Sequence, residues 1–383
     1  MKIVFVHHGA EYGGVEKHLI DLVERLDPVI FEPVILCFGA YGFDNAFSAS
    51  RRKTIQIVTG LKRTRFYDYW KNFRDIRPDL VVFESGSVGD FPWYGHGAAK
   101  ISRARRVLDF EHGMPPEIPH VRVRNLRSFL TRMLGWRARH EIARKLVWRI
   151  SDKIVTVSNP LRRALRTDYN CPDQKTLTIC NGVDVNYFSP FNRDTENLRA
   201  RLGIHESECV LLAVARLTPH KRIGMIFEAM QALEQEGRKV RFLIAGAGPQ
   251  EEDLRRRSSQ MGLAGAVTFL GHQSDVRPCY AAADIFVLPS KNEGFPLSLI
   301  EAMASGLPSI ATAAGGPSEM ISNGSEGWLV NSLEQLTAAI RYALTHAAER
   351  KQMGLRARRK VVQQFSVESW TNKITTLLLS MAY

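Results

Sequence analysis

Short apolar runs alternate with helical patterns in this chain, and they do so in two successive rounds. The first round comprises Ile3–Val6, Val34–Leu36, Leu80–Phe83, Arg106–Leu108 and Lys153–Val157. Between the first two runs, Leu19, Leu22, Val23 and Leu26 fall at helical spacing. The second round runs through Cys209–Val214, Val240–Ile244, Val267–Leu270, Ala283–Leu288 and Leu307–Thr312, with helices expected over 223–236 and 250–261. Strand alternating with helix is the pattern of a parallel sheet covered by helices. At 383 residues the chain exceeds one ordinary core, so two domains are expected. The fold class predicted is α/β, with two doubly wound parallel-sheet domains facing a cleft. The expected spans are 1–185, 186–365 and a last helix over 366–383, where Trp370, Ile374 and Leu377 keep helical spacing. The turn-rich Asn181-Gly182-Val183-Asp184 and Phe188-Ser189-Pro190 mark the junction. In such sheets a ligand binds at the carboxyl ends of the strands.

The stretch Leu288–Pro308 has the densest chemical content. A strand ending at Leu288 gives way to a loop holding Glu293, Gly294 and Phe295, and Pro296 then occupies the expected first position of a helix. Leu297, Ile300 and Ala304 share one side of that helix, and Gly306 and Pro308 end it. A glycine loop leading into a helix N-terminus presents free N–H groups and a favourable dipole to an anion. Glu293 and Glu301 flank it. Taken alone, a Glu-x7-Glu pair is equally two surface glutamates. Beside an anion site, it suits a phosphorylated ligand with hydroxyls on either side, which describes a nucleotide-sugar.

Arg216 and Lys221 follow the strand ending at Val214, and so fall at its carboxyl end. Two fixed cations there would hold a diphosphate and stabilise the charge growing on it. The chain has no Asp-x-Asp motif and no clustered carboxylates for Mg²⁺, so no metal and no cofactor is expected. Gly13 and Gly14 lie between the first strand and a helix, either as a phosphate loop or as a tight turn. Gly246, in Gly246-Ala247-Gly248-Pro249, and Gly271 read as turns after strands, with Pro249 and Glu251 displacing a nicotinamide-binding pattern. His112 follows a strand of the first half, with Glu111 beside it, and His7 and His8 close the first strand. A lone histidine is either structural or a ligand contact.

In its context Glu293-Gly294-Phe295-Pro296-Leu297-Ser298-x-x-Glu301-Ala302-Met303-Ala304-x-Gly306-x-Pro308, the second half resembles the retaining family 4 glycosyltransferases of the two-Rossmann-domain (GT-B) kind. The glycine loop, His112, Asn181–Asp184, Arg216 with Lys221, Gly315-Gly316 and Glu319 extend the resemblance, closely in the second half and loosely in the first. It implies transfer of a sugar from a nucleoside-diphosphate-sugar with retention. By resemblance, Glu301 would bind ribose hydroxyls and Glu293 sugar hydroxyls, while Arg216, Lys221 and the amides of Gly294–Leu297 would meet the leaving diphosphate. Gly13 and Gly14 would reach the donor phosphates, Gly246 and Gly271 would lie near the base, and His112 would lie near the sugar. The last helix would pack back on the N-terminal domain. One departure is Arg222, where the family usually has glycine after the lysine.

The chain carries a formal net charge of +13. Residues 1–190 hold 30 Lys and Arg against 20 Asp and Glu, which implies an anionic partner on that side. Residues 122–150 concentrate nine of them against Glu141 alone. There Leu126, Phe129, Leu130, Met133 and Leu134 form an amphipathic stripe, and Trp136 and Trp148 suit a lipid boundary. Reversible docking on an acidic membrane is expected, the alternative being an internal helix with a solvated basic face. No nucleic-acid motif accompanies the charge. The five scattered cysteines read as reduced thiols, and no signal core or membrane span is evident. The expected setting is the cytoplasm, peripheral on the membrane face, in polysaccharide synthesis with a lipid-linked or saccharide acceptor. Other classes compatible with the residues are a GT-B-shaped epimerase or phosphorylase, and a non-catalytic membrane-docking protein.

Overall fold

A seven-stranded parallel sheet forms the centre of the first unit, Met1–Cys180 with Thr371–Tyr383, in the computed structural model. The structure describes residues 1–7, 13–38, 43, 47–62, 65–85, 93–114, 143–190 and 197–382. Its strands and helices run β1 (Lys2–His7), α1 (Gly14–Arg25), β2 (Glu32–Cys37), α2 (Ala49–Arg52), β3 (Gln56–Val58) and α3 (Phe66–Ile76). There follow β4 (Leu80–Ser85), α4 (Trp93–Ile101), β5 (Arg106–Glu111), α5 (143–150), β6 (Lys153–Thr156), α6 (Asn159–Tyr169) and β7 (Thr176–Thr178). The order across the sheet is β3-β2-β1-β4-β5-β6-β7. Direction of travel reverses between β1 and β4, which makes their carboxyl ends the topological switch point. Both faces are covered, so β4 is buried along its whole length and its apolar run does not alternate. One face packs Val4, Val6, Phe83 and Val107 under Tyr69, Phe73 and Ala98 of α3 and α4.

Local signals set the helix ends. Ser158 caps α6 by accepting from the Leu161 amide, Pro160 sits in its first turn, and Asn170 closes it in the left-handed region. Lys175 donates to the carbonyls of Trp148, Arg149 and Ser151, satisfying the end of α5.

The second unit, Asn181–Trp370, repeats the plan. Its elements are α7 (Leu198–Arg201), β8 (Val210–Val214), α8 (Gly224–Gln235), β9 (Arg241–Ala245), α9 (Glu251–Gln260) and β10 (Val267–Gly271), then α10 (Arg277–Ala282) and β11 (Ile285–Leu288). It continues with α11 (Leu297–Ala304), β12 (Ser309–Thr312), α12 (Pro317–Met320), β13 (Gly327–Val330), α13 (Leu333–Thr345) and α14 (Ala347–Gln364). The sheet order is β10-β9-β8-β11-β12-β13, all pairs parallel, with its switch point between β8 and β11. The last helix, α15 (Val367–Ala382), begins in this unit, and its residues from Thr371 belong to the first.

The sequence pattern missed β3 and β13, edge strands of three and four residues. The helix after Pro296 is also buried on nearly all sides rather than along one stripe, because it lies against both the sheet and α14. No helix of the described residues is long and apolar enough to cross a membrane.

Most of the basic segment lies outside the described residues, which resume at 143. Within α5, Trp148 is only 3% exposed, and the Arg144 guanidinium, itself buried, sits 3.8 Å from the Tyr169 ring centroid. Trp148 is therefore a core side chain with no ring to offer a bilayer, contrary to the expectation from sequence.

Candidate active site

Two loops leave the second sheet at its switch point, one from β8 and one from β11. The β8 loop carries Arg216 and Lys221, and the β11 loop carries Glu293. A backbone bond from the Lys291 amide to the His220 carbonyl (2.8 Å) laces them together. Lys221 Nζ lies 2.5 Å from Glu293 Oε1, and both side chains are largely buried at 16% and 14% exposure. His220 shows the local charge: burial pushes its pKa down, and Lys221 and Arg216 push the same way while Glu293 opposes them.

Glycines allow these loops to lie this close. Gly246 has φ +136°, and a Cβ there would stand 2.0 Å from the Ala215 carbonyl oxygen. The β9 loop consequently pairs with the Arg216 loop, Ala215 N–H donating to Ala245 and Leu217 N–H to Ala247. Gly246 itself donates to the Gly271 carbonyl at 2.7 Å. On the other side Gly315 and Gly316 press against Glu293 and Gly294, with the Gly316 amide bonded to the Glu293 carbonyl at 2.8 Å. Gly246, Gly271 and Gly315 thus shape the loops that hold the charged side chains.

Phe295 is buried edge-on against Phe365, and Asn181 Nδ2 donates to its carbonyl at 3.2 Å. Pro296 caps α11 in an extended conformation, so the helix begins at Leu297, one residue later than its proline suggested. The first amides of an α-helix have no intrahelical acceptor, and those of α11 emerge beside the Lys221–Glu293 pair in sequence and loop path. Glu301 sits one turn inside, 5% exposed, with its Oε2 accepting from the Tyr280 hydroxyl at 2.8 Å. Burial and the adjacent Glu301 push the Tyr280 pKa well up, so Tyr280 remains a neutral donor that orients the carboxylate. Sequence reasoning missed Tyr280; its only signal was an aromatic residue five positions before a buried strand.

Arg222 adopts φ +53°, the left-handed conformation that a glycine would take without strain. Its guanidinium turns to Met225 Sδ at 3.2 Å.

In the first unit, the switch point gathers a buried polar cluster. His7, at the end of β1, donates to Glu16 in the first turn of α1 (2.9 Å). Gly13 precedes α1 in an extended conformation and Gly14 opens it, so both lie at a helix N-terminus that already has Glu16 in its first turn. His112, just beyond β5, is 2.7 Å through Nε2 from Glu84 Oε2 at the end of β4, and His18 Nδ1 stands 3.4 Å from the same oxygen. Burial alone would raise the Glu84 carboxyl, but His18 and His112 overcome it and hold the group down at about 2. Burial, together with the charge of His18, lowers the His112 pKa against the opposing pull of Glu84. Glu111 is also buried, while His8 lies outside the described residues. The ligand-type atoms of His18, Glu84 and His112 all fall within 4.8 Å of one another. Two ligands on a tetrahedral zinc would stand about 3.3 Å apart, given bonds of about 2.0–2.1 Å. The 2.7 Å contact is instead a hydrogen bond. Glu84 and His18 were not singled out from sequence, because nothing local distinguishes a glutamate ending an apolar run.

The profile described as Glycosyltransferase Family 4 matches residues 12–187, and that described as Glycosyl transferases group 1 matches residues 194–360. N-acetyl-alpha-D-glucosaminyl L-malate synthase of Bacillus anthracis is 30% identical over 229 residues, 59% of each chain. An Escherichia coli enzyme named UDP-Gal:alpha-D-GlcNAc-diphosphoundecaprenol alpha-1,3-galactosyltransferase is 30% identical over 213 residues, 54% of each chain. The chain thus spans little more than half the length of these curated relatives. Among solved structures, Anabaena Alr3699/HepE in complex with UDP-glucose superposes with a TM-score of 0.81 at 21% identity, over 99% of this chain and 100% of that one. WaaG, a glycosyltransferase involved in lipopolysaccharide biosynthesis, gives 0.73 at 16% identity over 98% and 99%. At such identities the likeness is one of fold, and that fold is GT-B. With one profile on each half and GT-B architecture throughout, the chain belongs to the family 4 glycosyltransferases.

Proposed function

We propose that the protein moves a sugar from a nucleoside-diphosphate-sugar to a hydroxyl of a lipid-linked or saccharide acceptor in glycan synthesis, with retention at the anomeric carbon. The observation carrying this reading is the Lys221–Glu293 pair, seated at the β8/β11 switch point where the amides of α11 begin. As the sugar–phosphate bond breaks, negative charge accumulates on the diphosphate. Lys221, Arg216 and the backbone N–H groups of Gly294, Phe295 and Leu297 meet that charge with fixed partners, which is where electrostatic preorganisation contributes most. Glu293 would pass from Lys221 to the sugar hydroxyls. Glu301, oriented by Tyr280, would accept from the ribose hydroxyls. These cations do the work a Mg²⁺ ion does elsewhere, and attack on the same face lets the leaving phosphate oxygen take the acceptor proton.

A nucleoside diphosphate at a hundredfold excess over its Kd is expected to stabilise the fold by about 2.7 kcal/mol. Thermal denaturation with UDP, GDP and ADP in EDTA measures this, and donor turnover in the same buffer completes the test. No shift with any of the three, together with no turnover, rejects the reading.

The basic segment 122–150 supports peripheral docking on an acidic, cytoplasmic membrane face, at roughly 1 kcal/mol per basic residue near the surface. Exchanging Arg122, Arg124, Arg127 and Arg132 for Gln is expected to reduce flotation with anionic vesicles while leaving donor hydrolysis unchanged. Unaltered flotation would remove the membrane role.

A further inference from the structure

The buried cluster at the first unit's switch point is not accounted for by the roles above. Glu84 is 1% exposed, is charged, and has no counterpart in the donor-site chemistry. A charged carboxylate in such a place is costly unless its partners are fixed. Here they are two imidazoles from different elements: His112 after β5 at 2.7 Å and His18 from α1 at 3.4 Å. The two rings meet edge to face with centroids 4.3 Å apart, and His18 also leans on Phe110. A backbone bond from the His112 amide to the Ser85 carbonyl (3.0 Å) fixes the base of the same side chain. His112 is held at both ends.

An ionised carboxylate can only accept, so His112 must place its proton on Nε2 to make this contact. A neutral ring then carries its lone pair on Nδ1. We propose that Glu84 is a positioning residue that fixes His112 as the Nε2–H tautomer, presenting Nδ1 as a hydrogen-bond acceptor for a substrate hydroxyl. His18 is the second partner, its Nδ1 3.4 Å from the same carboxylate oxygen. The lowered pKa of His112 keeps the ring neutral near pH 7, which the acceptor role needs. The charged and titratable groups acting on the pair, among the described residues, are His18 from α1 and His7 from β1, the latter bonded to Glu16. The substrate class, a polyol or sugar hydroxyl, rests on the transferase reading above, whereas the tautomer does not.

The test combines spectroscopy with kinetics. In ¹⁵N-labelled wild-type protein at pH 7, assigned by comparison with His112→Gln, the His112 ring is expected to be neutral and protonated on Nε2. That proton should be protected from exchange and shifted downfield. Glu84→Ala, which leaves nothing at that position to accept from Nε2, should abolish that resonance and lower kcat about tenfold or more, with KM within twofold. Because Glu84 raises the His112 pKa, its neutralisation should also move the acidic limb of the pH–rate profile to lower pH. A wild-type ring protonated on Nδ1, or on both nitrogens at pH 7, overturns the proposal without any variant having to fold. A Glu84→Ala protein with a lower Tm but the wild-type resonance and profile overturns it too, since Glu84 would then act on stability alone. If no donor turnover can be found, the spectra still decide the tautomer, and failure of the transferase reading is thereby separated from failure of this one.

Discussion

Replacing Lys221 by alanine is expected to lower kcat/KM for the nucleotide-sugar by about 10³-fold, the scale reached when one preorganised partner of a developing anion is removed. The effect should fall mainly on kcat, since the charge it meets grows as the sugar leaves. A second consequence separates this residue from an ordinary surface cation. Lys221 is paired with Glu293 at 2.5 Å with both side chains mostly buried, so its removal strands a carboxylate. Stability should therefore drop by about 1–3 kcal/mol. The double variant Lys221→Ala/Glu293→Ala should recover much of that loss, since no lone charge remains, yet stay inactive. Urea unfolding read beside donor turnover resolves the two effects. A double variant that regains turnover would show that the pair serves only the fold.

Glu301→Gln belongs with this series. The amide oxygen can still accept from Tyr280, so the buried contact survives while the charge proposed to face the ribose is lost. Full turnover in both Glu301→Gln and Lys221→Ala would end the transferase proposal. Persistent folding with loss of turnover in each would place the donor in the second unit.

The second sheet was readable from sequence because its buried strands are continuous apolar runs, such as Ile285–Leu288, and its key loop is bounded by proline and glycine signals that act locally. Glu293 and Glu301 were legible for the same reason, since both belong to one strand–loop–helix segment. What lay out of reach depends on distance along the chain. Tyr280 meets Glu301 across 21 positions, Asn181 meets Phe295 across 114, and Glu84 meets His112 across 28. No local pattern marks such partners, because a glutamate at a strand end looks the same whether or not two histidines await it. The edge strands were lost differently. Gln56–Val58 and Gly327–Val330 are too short for periodicity to appear. Trp148 failed for a third reason: an amphipathic pattern does not say whether the apolar side meets lipid or the protein's own sheet, and here the ring is buried.

Gly315→Ala is expected to disable the site from a residue that carries no side chain at all. Gly315 has φ +74°, and an added Cβ would stand 2.0 Å from the backbone oxygen of Glu293 and 3.2 Å from Asn292 Oδ1. Carbon and oxygen do not approach so closely, so the Glu293 peptide must retreat by about 1 Å, a displacement worth roughly 10²-fold in rate at a positioned group. The retreat also breaks the Gly316 N–H···O bond to Glu293, now 2.8 Å. A broken buried bond costs about 1–3 kcal/mol, and the left-handed backbone adds about 1–2 kcal/mol for any residue with a Cβ. The sum, about 3 kcal/mol, corresponds to a fall in Tm of roughly 6–12 °C for a domain of this size. Gly324→Ala separates the two causes. Gly324 has φ +81° but nothing within 4 Å of its would-be Cβ, so it carries the backbone strain without the collision. It should lose only about 1–2 kcal/mol and keep its turnover. Equal losses of turnover in the two variants would mean that strain, not displacement of Glu293, is what the loop cannot tolerate. Loss confined to Gly315→Ala would tie catalysis to the position of a single peptide group.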